Sequence, residues 1–131
     1  GIPKVEALKE NLLLINPDIN INDLNITLTY DNLKEVYGDC DIIVEAFDRA
    51  DCKKMIVEEF LNSDKLLVSA SGLAGWEDSD NIVTRKVKDN FFLIGDLVSG
   101  VTDTIPPISP RVNTAAAKQA NVILNYVIES R

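Results

Sequence analysis

Three consecutive stretches constrain the fold of this chain more than any others: DIIVEAF (41–47), RADCKKMIVEEFLNS (49–63) and KLLVSAS (65–71). The first and third are short, mostly apolar runs. The second places Met55, Ile56, Phe60 and Leu61 on one helical side, with lysines and glutamates opposite. Strand, helix and strand joined by short connections predict a right-handed βαβ unit. Strands with so little polar alternation are expected to carry helices on both faces, as in a parallel sheet.

The flanking segments extend this pattern. GIPKVEALKENLLLINP (1–17) reads as a helix, with Pro3 in its first turn, Val5, Leu8, Leu12 and Ile15 at helical spacing, and Asn16 with Pro17 as its stop. DININDLNIT (18–27) predicts a strand interrupted near Asp23 and Leu24, and a short helix follows at 32–37, stopped by Gly38. NIVTRKV (81–87) alternates and predicts a strand with one solvated face, while FFLIGD (91–96) predicts a buried one. After a loop rich in Pro, Thr and Ser at 97–109, Ser109 as cap and Pro110 in the first turn open the longest helix. It is expected to cover the core with Val112, Ala115, Ala116, Gln119, Ala120, Ile123 and Val127. The expected fold is therefore α/β, a Rossmann-like open, mostly parallel sheet with helices on both faces.

A length of 131 residues suits one domain with a real core, and 46% hydrophobic content argues against disorder. The net charge of −8 disfavours a nucleic-acid partner, which would need a basic face, but leaves room for one or two lysines to hold a nucleotide. No apolar run approaches the roughly 18 residues of a membrane span, and no signal peptide opens the chain, so no membrane association is expected. Cys40 and Cys52 stand at opposite ends of the 41–47 strand, roughly 20 Å apart, too far for a disulfide; a reducing cytoplasm is the expected location. The chain has no histidine and no Cys-x-x-Cys pair, so zinc is not expected.

Asp48 is the first candidate for chemistry. Open α/β sheets bind ligands beyond the C-terminal ends of their strands, where the residue after DIIVEAF must lie. There Asp48 is either a hard oxygen ligand for a cation or a cap for the helix beginning near Arg49. Asp51 reads as a first-turn helix acid, and Glu45, inside the strand, must find a partner or face solvent. Lys4 opposes the helix dipole at the start of the first helix, so stability supplies no reason for it. Ser69, Ser71, Gly72 and Gly75 are expected to form a loop at the same edge as Asp48, either letting an extended peptide approach closely or making only a tight turn. Trp76 and Tyr37 read as packing residues and Cys52 as structural.

One element of a nucleotide-binding sheet is absent. Such sheets normally begin with a strand, a glycine-rich turn and a helix whose amides hold the phosphates. This chain opens with a helix and contains neither G-x-G-x-x-G nor a P-loop; SGLAG (71–75) lacks the spacing. Either the domain does something else, or its first strand and glycine loop lie outside this sequence.

Taken in order, G-x-P-K at 1–4, I-N-P at 15–17 and D-I-I-V-E-A-F-D at 41–48 resemble the ThiF/MoeB/HesA family, enzymes that adenylate small ubiquitin-like sulfur carriers. SASGLAGW (69–76), FFLIGD (91–96) and SPRVNTAAAKQAN (109–121) resemble the shorter ThiF variety of thiamine biosynthesis. The resemblance covers nearly the whole chain. It implies that residues 1–131 are the C-terminal part of an adenylating domain, and that the N-terminal strand and glycine loop are missing from this otherwise inactive fragment. It also implies ATP and Mg²⁺ as cofactors of the intact enzyme, a sulfur carrier protein as partner, and a homodimer. By this resemblance Lys4 would offset charge on the ATP phosphates, Asp48 would hold the metal, and Arg49 would lie near the nucleotide. Many relatives carry Asp-Asn where this chain has Asp48 and Arg49. Two other readings are an α/β protein-interaction domain without nucleotide chemistry and a dehydrogenase fragment; the lack of any histidine disfavours the second.

Overall fold

The computed structural model describes all 131 residues. Four strands form one sheet: β1 (Ile42–Val44), β2 (Leu66–Ala70), β3 (Val83–Lys88) and β4 (Phe91–Gly95), in the spatial order β1-β2-β4-β3. β1, β2 and β4 are parallel, and β3 returns antiparallel to β4. The helices are α1 (Lys4–Ile15), α2 (Leu33–Tyr37), α3 (Ala50–Phe60) and α4 (Ser109–Glu129), with a short 3-10 turn at Ser79–Asn81. The predicted βαβ unit is thus present as β1, α3 and β2.

Strand alternation divides the core between the two faces. Ile43, Leu67 and Phe91 point to one side and pack with Leu33 of α2 and Met55, Ile56 and Phe60 of α3. Leu66, Val68 and Ile94 point to the other and pack with Ala115 of α4 and Ile82. All five β2 residues are buried, as expected of a central parallel strand. β3 lies at the outer edge, exposed along nearly its whole length, where Arg85, Lys86 and Lys88 blunt the edge against pairing with another chain.

Several expectations are corrected. Residues 18–27 form no strand, because the sheet offers them no ladder; Ile19, Leu24 and Ile26 stay exposed, and Asp23 instead pairs with Lys9 of α1 at 2.6 Å. α1 has no buried residue, so its expected apolar face packs on nothing substantial: Leu8 and Ile15 are exposed. α4 is the longest helix, but its inward residues are Arg111, Ala115 and Gln119, and Ala116, Ala120 and Val127 turn outward. A basic residue heads the buried stripe because acceptors await it, described below. Ser109 is the first helical residue and not the cap; Ile108 holds that position. No helix is long and apolar enough to cross a membrane, and both cysteines are free thiols.

Candidate functional site

Because β1, β2 and β4 run in the same direction, the segments that follow them emerge at one edge of the sheet. These are residues 45–49 leading into α3, residues 71–75, and residues 96–99. β1 ends at Val44, three residues before the predicted limit, because the side chain of Glu45 folds back on its own backbone. One carboxylate oxygen, Oε1, accepts the Phe47 amide at 2.6 Å, and this turns the chain out of the ladder.

Glu45 is 1% exposed. Its Oε1 also accepts from Lys53 Nζ of α3 at 3.0 Å, and its Oε2 accepts a short hydrogen bond from the Ser69 hydroxyl. Lys53 donates again to the Ala70 carbonyl at 2.8 Å, and the Gln119 amide of α4 reaches the Glu45 carbonyl at 3.3 Å. The partner that a carboxylate in this strand requires is therefore Lys53, eight residues on. Period-2 alternation puts Glu45 and Ser69 on the α3 face, like Ile43 and Leu67 before them. Ser69 is accordingly a buried strand residue, not part of the loop in which it was expected.

Asp48 follows this knot, exposed, in the bend before α3. It does not cap the helix: Arg49 occupies the N-cap position and no side chain bonds the first-turn amides. Arg49 turns away to Asp51, with Nε 3.1 Å and a terminal nitrogen 2.5 Å from the two carboxylate oxygens. That hydrogen-bonded pair lowers the Asp51 carboxyl and raises the Arg49 guanidinium relative to their ordinary values. Asp48 has no hydrogen bond or ion pair of its own. Lys4, the first residue of α1, is exposed and unpaired as well. The two stand as free charges of opposite sign, and no side-chain hydrogen bond or ion pair joins them to each other or Arg49 to either.

The other two loops are bound together. The Asp96 amide donates to the Gly72 carbonyl at 3.0 Å and the Leu97 amide to the Ser71 carbonyl at 3.3 Å, extending the β2–β4 ladder beyond both strands. Gly72, at φ +78°, leaves no room for a side chain, since a Cβ would lie 2.0 Å from an Asp96 carboxylate oxygen. The Asp96 carboxylate in turn accepts the Val98 and Ser99 amides, each at 2.8 Å, and the Arg111 guanidinium at 2.6 Å. Arg111 also donates to the Glu77 and Asp78 carbonyls at 3.0 and 2.6 Å, so one buried side chain ties the start of α4 to two loops. Sequence reasoning did not single out this pair, although Asp96 closes FFLIGD and Arg111 stands in SPRVNT. Trp76, expected to pack in the core, is 66% exposed because the 75–79 loop turns outward at Gly75 and its backbone, not the indole, meets Arg111. Tyr37 does pack against the α3 side of the core.

No group of three or more His, Cys, Asp or Glu side chains converges to enclose a metal. A magnesium ion bound with a nucleotide does not need such a cage; it takes one or two carboxylates and completes its shell with phosphates and water. The free carboxylate of Asp48 fits that requirement, and the unpaired ammonium of Lys4 suits a phosphate. The helix amides of a glycine loop, which would hold the phosphates by the backbone, are not part of this chain.

The ThiF family model matches residues 1–94. Over 73 residues, 56% of the chain, the sequence is 34% identical to the adenylyltransferase and sulfurtransferase UBA4 of Candida glabrata, and 32% identical to UBA4 of Eremothecium gossypii. Those matches span only 17% and 16% of the two relatives. Among solved structures, Escherichia coli tRNA N6-threonylcarbamoyladenosine dehydratase, TcdA, in complex with ATP has a TM-score of 0.78 at 13% identity, covering 100% of this chain and 68% of that one. Its complex with AMP gives 0.76 at 15% identity, covering 98% and 67%. At these identities the likeness is one of fold, and it agrees with a Rossmann-type α/β sheet.

Proposed function

Since this chain belongs to the ThiF family, we propose that it is the C-terminal part of an adenylating domain that activates the terminal glycine carboxylate of a ubiquitin-like sulfur carrier, in thiamine biosynthesis. The observation that carries the reading is Asp48: an exposed carboxylate without a protein partner, at the C-terminal edge of parallel strands, where open α/β sheets receive ligands. The adenylyltransferase name of the UBA4 relatives and the ATP bound by TcdA support it.

In this reading the carrier carboxylate attacks the α-phosphorus of ATP. A carboxylate–phosphorus bond forms, the bond to the β-phosphate oxygen breaks, and pyrophosphate leaves with the electron pair. Lys4 offsets charge on the departing phosphates, as a fixed ammonium is suited to do. Asp48 would hold Mg²⁺, which when bound would reduce the repulsion between the phosphates and the incoming carboxylate. Arg49, drawn to Asp51, contributes at the rim of the nucleotide site. Residues 71–76 guide the carrier tail, with Gly75 letting two backbones come close.

In this reading a further strand and a glycine loop pair along β1, whose outer edge carries the 47% exposed Val44 and no partner strand among these residues. In the same reading the intact protein is cytoplasmic and works as a homodimer. ATP–pyrophosphate exchange by the full-length protein, dependent on a carrier and lost in Lys4→Ala and Asp48→Ala, tests the reading; normal exchange in both variants rejects it. A second reading, an interaction domain without nucleotide chemistry, draws on the last turns of α4, where Leu124, Tyr126, Val127 and Ile128 are exposed. Failure of the full-length protein to bind ATP would favour it.

A further inference from the structure

Burying a carboxylate costs several kcal/mol of lost hydration, and a buried ion pair often stabilises no better than apolar residues of the same volume. Glu45 and Lys53 therefore need a reason other than stability to occupy the core side of the sheet's ligand edge. Their contacts supply one. The Glu45 carboxylate holds the Phe47 amide, Lys53 of α3 and Ser69 of β2 together, and Lys53 adds the end of β2 through the Ala70 carbonyl. Asp48 comes one residue after the Phe47 amide and has no anchoring bond of its own. The direction in which it leaves the sheet is fixed by the turn that Glu45 closes.

We propose that Glu45 is the positioning residue of this edge: its buried carboxylate sets the 45–48 turn and so aims Asp48 at a nucleotide-bound divalent cation. The proposal rests on the reading of Asp48 given above. Groups that orient a metal ligand from behind change metal affinity by roughly 10- to 100-fold when altered, and Glu45, acting through one backbone amide, belongs at the lower end, about tenfold.

The test is calorimetric titration of the full-length protein with ATP, with and without Mg²⁺, read as the ratio of the two dissociation constants. Asp48→Ala removes most of the Mg²⁺ enhancement. Glu45→Met, which keeps roughly the size but can accept from neither the Phe47 amide nor Lys53, lowers it about tenfold. Combining the two substitutions leaves the ratio where Asp48→Ala alone puts it, because Glu45 acts through Asp48. Ile56→Val, a core change in α3 that removes none of these hydrogen bonds, leaves the ratio unchanged and separates positioning from general loosening. If Glu45→Met fails to fold, Ser69→Ala removes one donor from the same carboxylate and shows the same non-additivity with a smaller effect. A Glu45→Met effect that persists at full size in the Asp48→Ala background, or no effect at all, overturns the positioning role alone. An Asp48→Ala protein with an unchanged Mg²⁺ enhancement overturns the reading of the site, and this proposal with it.

Discussion

The Arg111 guanidinium, 4% exposed, lies 2.6 Å from the Asp96 carboxylate and joins the start of α4 to the end of β4. Its partners are the Asp96 carboxylate and two adjacent backbone carbonyls, of Glu77 and Asp78, in another loop, so the pair sets how the 71–79 and 96–99 segments meet at the ligand edge. Removing one member leaves the other charge without compensation.

Asp96→Ala is therefore expected to cost about 3–5 kcal/mol, the usual penalty for stranding one partner of a buried pair. Urea denaturation of wild type and variant measures it. A loss below about 1 kcal/mol would show that Arg111 finds other acceptors.

The same pair predicts a response to acid. Burial pushes the Asp96 carboxyl up, but the Ser99 and Val98 amides and the Arg111 charge outweigh it, and the net result is below the ordinary value of 3.8. The folded state thus binds this proton less readily than the unfolded chain does. The stabilisation is complete above pH 3.8 and is lost as pH falls through the lower folded value. Acid denaturation curves should show a component below pH 4 that disappears in Asp96→Asn.

Two neighbouring backbone positions should respond in opposite directions. At Gly95, φ +140°, a Cβ would lie 1.6 Å from the Ser71 carbonyl oxygen, so Gly95→Ala is expected to cost roughly 3 kcal/mol or more. Leu97 is a non-glycine residue at φ +64° with a 40% exposed side chain, so Leu97→Gly relieves strain at little loss of packing and should stabilise by about 0.5–1 kcal/mol. Thermal melts of both variants check the pair. A stabilised Gly95→Ala protein would contradict the crossing described here.

Legibility from sequence followed the number of partners each segment finds inside the chain. DIIVEAF, the α3 segment and KLLVSAS pack on one another, and their pattern gave the βαβ unit and the two-faced sheet. DININDLNIT carries a strand-like alternation, but a strand needs a ladder that no segment of this chain offers, so propensity alone did not decide it. At the candidate site, the position of Asp48 was legible because it follows from strand direction. The partners of Glu45 depended on a helix crossing the sheet, and those of Arg111 on a loop 33 residues back in the chain. Spacing along a sequence does not encode such meetings. Trp76 was misplaced for a related reason, since an aromatic residue in a loop packs only if the loop turns inward.

The role proposed for the free carboxylate of Asp48 is to receive the metal that accompanies ATP. Its most direct test is carrier-dependent ATP–pyrophosphate exchange by the full-length protein carrying Asp48→Ala or Asp48→Asn. The expected result is a loss of roughly 10²- to 10³-fold in rate, partly restored by raising Mg²⁺, with an unchanged melting temperature. Exchange at the wild-type rate in both variants would contradict the account.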